Sequence, residues 1–335
     1  MQRVERIQEA MSRAGLKPID MRRAGTLETD LILPDKPNES SFDHPEIEPL
    51  EGPIAHRPIE RRNATQFSWF IDGSQKTMPV WRIGVVPIVV SIVASGVLER
   101  ADDGTCTVVP GSMFEKITWI VPQQTGDPDI RSFVDILESL GQDVVDPLDK
   151  QENYNQLAGM YDHVLLYAND TAGNMREEVE RASIRFWDDA IRTTKEDRWL
   201  VVDGRLMSEL TNAVGFVKDP GRQHLSAHDA VTLLSMPAGH RTTAYRLQEP
   251  ARTRTHWYQR MWPADGLDAR HALIRIEASG DTNTEEIDAI SSWLMAERVP
   301  RPTSDARWPT LLYPVHILER ILKRRISQIT TGWPV

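Results

Sequence analysis

Two apolar runs that each close on Asp-Gly are the residues best placed to do chemistry. One reads Phe67-Ser68-Trp69-Phe70-Ile71-Asp72, followed by Gly73-Ser74; the other reads Trp199-Leu200-Val201-Val202-Asp203, followed by Gly204. Both patterns predict buried strands that deliver a carboxylate to the strand's carboxyl end, with a glycine turning the chain. Side by side in one sheet, Asp72 and Asp203 would lie within a metal's width of each other. That is a divalent-cation site suited to phosphodiester chemistry. Asp-Gly also ends strands of no catalytic importance, because Asp caps the turn or the next helix. It is the pair that points to a site.

A two-metal site needs a third acid. The helix expected before the second run offers Glu177, Glu178, Glu180, Asp188 and Asp189. Glu180 shares a face with Ile184, Trp187 and Ile191, whereas Glu178 shares one with Ala182, Arg185 and Asp189, a solvated pattern. An acid on an apolar stripe costs desolvation unless it is paired or binds a metal. Glu180 is therefore the candidate, with Glu177 or a plain surface glutamate as the alternatives. Lys218 closes the apolar segment Ala213-Val214-Gly215-Phe216-Val217. It could neutralise charge developing on a scissile phosphate, or simply reach for water.

A last helix is predicted from about 311 to 329. Leu311, Val315, Leu318, Leu322 and Ile326 form its apolar stripe, and His316, Arg320 and Arg324 a second one, with Lys323 beside it. The second stripe could face a DNA backbone or leaving group, or could be a solvated basic face near a helix C-terminus.

Strands are expected at 67–72, 80–98 (two, or one long and bent), 115–121, 163–168, 198–203, 213–218, 241–246, 254–261 and 271–277. Helices are expected at 1–14, 128–140 and 174–192, and from 284, with Thr282 and Glu285 as that helix's capping box. Strands and helices mix without strict alternation, which predicts an α/β protein with a mixed sheet flanked by helices. Residues 25–64 are rich in proline and acids and lack periodicity. They read as an extended arm that wraps the surface or a partner, with Leu31, Ile32, Leu33 and Ile54 as apolar anchors. The expected division is 1–65 as helix and arm, and 66–335 as the globular body.

The 335 residues carry a net charge of −10, which argues against a general polyanion-binding surface. The charge is uneven, however. Eight acids and one base lie between Glu28 and Glu51, while Arg241, Arg246, Arg252, Arg254 and Arg260 fall within twenty residues. Any DNA path is therefore local or shared with a partner. The single Cys106 leaves no internal disulfide and no cysteine zinc cluster. No apolar run is long enough to span a bilayer. The first residues lack a signal peptide's apolar core, so a cytoplasmic location is expected.

The order of the short motifs resembles the NurA nucleases over roughly residues 66–330. The motifs are Phe70-Ile71-Asp72-Gly73-Ser74, an acid-bearing helix, Val201-Val202-Asp203-Gly204, Gly215-Phe216-Val217-Lys218, Trp257-Tyr258, Arg275-Ile276-Glu277 and Tyr313-Pro314. The resemblance implies a ribonuclease H-like core, DNA cleavage with a divalent metal (typically manganese), a homodimer, and a hexameric HerA-type DNA-translocating ATPase as partner. Its implied setting is DNA end processing or phage defence. Asp72, Asp203 and Glu180 match the family's metal ligands, Lys218 its lysine and Tyr313 its C-terminal tyrosine. One departure stands out: where the family often carries a histidine about two turns after that tyrosine, this chain has Ile321, and His316 is the candidate to stand in for it. All-oxygen ligation suits Mg²⁺ or Mn²⁺ rather than zinc. Two rivals are a non-catalytic scaffold of the same fold and an actin-like ATPase. The latter normally adds glycine-rich loops, and no Gly-Gly pair occurs here.

Overall fold

Two long strands set the frame. Phe67–Ile83 and Val86–Arg100 pair antiparallel along almost their whole length, reversing at Gly84, whose φ of 57° suits a residue without a Cβ. Their β-branched and aromatic content fits a sheet buried on both faces. The computed structural model describes residues 2–16, 19–20, 46–60, 64–195, 197–218, 224–249, 252–265, 267, 269–299, 307–331 and 333.

In chain order the elements begin with α1 (Gln2–Arg13), β1 (Ile19–Asp20), β2 (Ile47–Pro49), β3 (His56–Pro58) and the long pair β4 (Phe67–Ile83) and β5 (Val86–Arg100). Next come β6 (Cys106–Val108), β7 (Phe114–Ile120), α2 (Pro128–Ser139), β8 (Asp143–Val145), α3 (Tyr154–Ala158) and α4 (Tyr161–Ala190). The remainder comprises β9 (Trp199–Asp203), β10 (Ala213–Val217), α5 (Ala227–Ser235), β11 (His240–Thr242), β12 (Tyr245–Glu249), β13 (Arg252–Arg260), β14 (Leu273–Ser279), α6 (Thr284–Ala296) and α7 (Tyr313–Ile329).

The strands form one mixed sheet in the order β2-β12-β13-β14-β10-β9-β4-β5-β7-β8. Alternation along β5 sorts the helices onto two faces. Val89, Val93 and Val97 pack with Ala168, Ala172, Met175, Val179, Ile184 and Trp187 of α4. Ile88, Val90, Ile92 and Ala94 join the larger core that α1, α2, α6 and α7 cover from the other side.

Several expectations shift. The expected strand at 163–168 is the first part of α4, a single 30-residue helix. Val164, Ala168, Ala172, Met175 and Val179 continue one face at helical spacing, and that long period outweighs the strand-like look of a short apolar run. The strand expected to stop at Asp72 runs on to Ile83, so Asp72-Gly73 lies inside a strand rather than at its end. The capping box of α6 is Asn283 with Glu286, one residue beyond the expected pair.

Of the expected arm, residues 25–45, with Leu31, Ile32 and Leu33, and residues 61–63 lie outside the described residues. The described stretch 46–60 is built into the sheet: β2 pairs with β12 and β3 with β11. Ile54 packs against the cluster of Tyr245 and Tyr258. Glu51 takes two bonds of 2.7 Å from the buried Arg241.

Candidate active site

Register brings the two aspartates together. β9 runs parallel to β4, with Phe70 opposite Val201 and Ile71 opposite Val202, so Asp72 and Asp203 come next on neighbouring strands. There β9 stops, because Gly204 turns away with φ 111°, while β4 continues. A polar cleft of about 720 Å³ opens at this step, lined by Asp72, Gly73, Glu180, Asp203, Lys218 and Glu319 among others.

Gly73 explains how Glu180 enters. A Cβ on Gly73 would stand 2.0 Å from Glu180 Oε1 and 2.7 Å from its Cγ and Cδ, so the glutamate occupies the space that a side chain would need. Two serines hold α4 against the hairpin nearby. Ser183, one turn beyond Glu180, donates to Ser95 on β5 at 2.9 Å, and Ser95 donates to the Asp72 carbonyl at 2.9 Å. These hydroxyls are fully buried, so the bonds fix the helix against the strand.

The cleft is balanced in charge. Asp72, Glu177, Glu180, Asp203 and Glu319 face Arg176, Arg181, Arg205, Lys218 and Arg307, equal in number. Lys218 Nζ donates to Asp203 Oδ2 at 2.5 Å. Burial opposes the lysine's charge, but Asp203 and Asp72 outweigh it and raise the pKa. Asp72 is 6% exposed and, among the described residues, its side chain accepts only from the adjacent Gly73 N–H, at 2.8 Å. Burial, then repulsion by Asp203, pushes its pKa well up, against the pull of Lys218. Glu180, also 6% exposed, is pushed up to about 7, by burial first; Arg176 opposes the rise and Asp203 adds to it. Two acids that resist ionising beside a third are a pattern of functional sites.

Of the residues singled out in the sequence, Asp72, Glu180, Asp203 and Lys218 meet in this cleft. Tyr313, His316, Arg320, Lys323 and Arg324 are not part of its lining. Tyr313 heads α7 and is 53% exposed. His316 Nδ1 lies 3.8 Å from Glu319 Oε2. Lys323 Nζ lies 3.0 Å from Glu319 Oε1, which links it to the cleft indirectly, and Arg320 and Arg324 are exposed.

Glu319 was missed. It is 7% exposed, accepts from Arg307 at 2.7 Å, and raises the pKa of Asp72. A signal was present, for Glu319 sits in phase with Val315, Leu322 and Ile326, as Glu180 does with Ile184 and Trp187. The cleft arginines also escaped notice. Arg205 directly follows the second Asp-Gly, and Arg176 and Arg181 flank Glu180 by one turn or less.

Among the described residues no three His, Cys, Asp or Glu side chains converge on a single point. Lys218 on Asp203, and Arg176 at 3.7 Å from Glu180, occupy the places where charge balance is needed. The donor set is nevertheless all oxygen, buried and self-repelling, which fits a hard divalent cation.

No family profile matches this chain, and no curated protein matches it in sequence. Among solved structures, the crystal structure of the NurA nuclease from Sulfolobus solfataricus is similar, with TM-score 0.37 and 12% identity, covering 82% of this chain and 86% of that one. A likeness of that depth does not establish a shared family.

Proposed function

We propose that this protein is a divalent-metal-dependent DNA nuclease. The observation that carries the reading is the meeting of Asp72 and Asp203 on neighbouring parallel strands, with Glu180 admitted beside them by Gly73. The order of motifs shared with the NurA nucleases supports the choice of DNA and of a ribonuclease H-like core.

Asp72, Glu180 and Asp203 would hold Mg²⁺ or Mn²⁺, which when bound supplies Lewis acidity at a phosphodiester and a water of lowered pKa. The chain's own residues set the rest. Lys218 stays protonated and, released from Asp203, donates to a phosphate oxygen as negative charge develops on it. Arg307 is drawn over the cleft by Glu319. Burial of the acids on the cleft floor excludes bulk water and so strengthens each of these interactions.

On this reading the partner is a HerA-type hexameric ATPase that feeds DNA to a homodimer, in end processing or phage defence. No helix of the described residues is long and apolar enough to cross a membrane, and a cytoplasmic setting goes with the proposal. A non-catalytic scaffold is the second reading, favoured by Lys218 sitting on Asp203. The test is cleavage of linear and circular DNA with and without Mn²⁺, by the wild-type protein and by D72A and D203A. Metal-dependent cleavage lost in both variants supports the nuclease. Inert wild-type protein, alone and with its ATPase, overturns it in favour of the scaffold.

A further inference from the structure

The turn after Asp203 is held from two strands away. Gly204 donates to the Phe216 carbonyl at 2.9 Å, and the chain then folds back across β10 at Gly215. A Cβ there would come 2.7 Å from the Leu206 nitrogen and 2.8 Å from the Gly204 oxygen, so only glycine lets the turn lie this close. Gly215 pairs with Glu277 of β14, and the turn ends on that side chain: the Leu206 N–H donates to Glu277 Oε2 at 3.0 Å.

Glu277 is 1% exposed and also accepts from Arg254 at 3.0 Å and Arg275 at 2.9 Å. Arg205 lies between the two anchored residues. Its side chain is 61% exposed, lines the cleft, and keeps Nε 3.9 Å from Glu277 Oε1. If Glu277 served only to balance Arg254 and Arg275 within the sheet, it would have no need to accept from the turn. A carboxylate that also takes a backbone N–H from a cleft-lining segment ties that segment to the sheet.

We propose that Glu277 is a positioning residue of the cleft: by fixing the Leu206 amide it holds Arg205 over the cleft floor, where the guanidinium takes a backbone phosphate of the DNA. The phosphate role rests on the nuclease reading; the anchoring does not. A planar fork held at both flanking residues loses little freedom on meeting a phosphate, whereas an arginine on a loose turn loses more.

Hydrogen exchange followed by mass spectrometry tests the anchoring in the full chain without substrate. Peptides spanning 204–207 should lose protection in E277Q, while those of β4 keep theirs. Because E277Q removes the charge that two buried arginines share and so threatens folding, E277D serves as the second variant: it keeps the charge but falls one methylene short of the turn. E277D should lose protection at 204–207 as well, and unchanged protection in E277D overturns the proposal.

Cleavage in Mn²⁺ tests the phosphate role. E277D and R205A should each lower kcat/KM about tenfold, as disrupted supporting contacts commonly do. Each should reduce the salt dependence of DNA binding by about one phosphate contact. The double variant should be no worse than R205A alone, since both changes remove the same contact. Additive losses with an unaltered salt dependence would show that Glu277 acts on stability alone and would overturn the proposal. Should wild-type protein neither cut nor bind DNA, the nuclease reading fails and the phosphate role with it; the exchange result still decides the anchoring.

Discussion

Gly73 decides more than its size suggests. Its absent side chain is the space that Glu180 fills. G73A should therefore push the glutamate out and lower cleavage by about two orders of magnitude, since a displacement of an ångström at a reacting centre costs roughly that much. Far-ultraviolet circular dichroism should stay unchanged while kcat in Mn²⁺ falls. Retained activity would mean that Glu180 takes no part. The raised acids make a second prediction. A carboxyl whose folded pKa stands above its unfolded value contributes stability that is present below the unfolded pKa and lost as pH rises through the folded one. For Glu180 that window runs from 4.5 to about 7. The metal-free protein should lose on the order of 3 kcal/mol across it. Mn²⁺ should raise Tm more at pH 8 than at pH 5, because protons compete with the ion. Equal gains at both pH values would speak against a metal on these carboxylates. At this scale the sequence was legible where an acid sat in an apolar phase, as at Glu180. The same phase at Glu319 went unread because the basic residues around it drew attention to the opposite face. Gly73 was misread, since a glycine within a strand looks like the end of one until the atoms opposite it are known.

Among the elements, the stretch 46–60 is the least expected contributor. Arg241 is almost wholly buried and draws its charge balance from Glu51 and Asp288. A chain starting at Gln66 would also lack α1, whose Val4, Ile7 and Met11 lie in the main core. Such a truncation should be unfolded or insoluble. E51A alone should cost about 2–3 kcal/mol, because the buried Arg241 guanidinium loses two bonds and keeps Asp288 as its remaining acid, which urea denaturation would measure. A stable, cooperative truncation would show that these contacts contribute little. Composition could not reveal this role. Proline and acids mark a segment unable to form its own core, but they do not say whether it borrows one. The strand expected at 163–168 fails for a related reason, because five apolar residues in a row fit either period until the neighbouring turns are counted.

For the whole molecule, a charge of −10 coexists with a cleft in which acids and bases balance. With Glu180, raised to about 7, partly protonated at neutral pH and Asp72 pushed in the same direction by burial, the metal-free cleft leans positive inside an acidic protein. DNA should bind the isolated protein weakly and with steep salt dependence, because distant acids repel it while the cleft attracts it. The charge reversal R307E should weaken binding more than R320E with R324E, since only Arg307 reaches the cleft. Fluorescence anisotropy at two salt concentrations would decide, and a larger effect from the α7 pair would move the DNA path to that helix. The mixed sheet flanked by helices was legible from the scatter of strands and helices. Its strand order was not, because pairings such as β4 with β9 join segments that no local pattern connects.

The step where β9 stops and β4 runs on has a consequence for synthesis. Asp72, Gly73 and Ser95 belong to one hairpin and emerge from the ribosome together. The turn bearing Asp203, the strand leading to Lys218 and the helix bearing Glu319 follow only after much more chain has been made. Closing contacts between segments so far apart is slow and waits for the later segments to exist. An unfinished chain therefore carries one wall of the cleft without the other, and on the nuclease reading it gains the power to cut only once the body of the protein is complete.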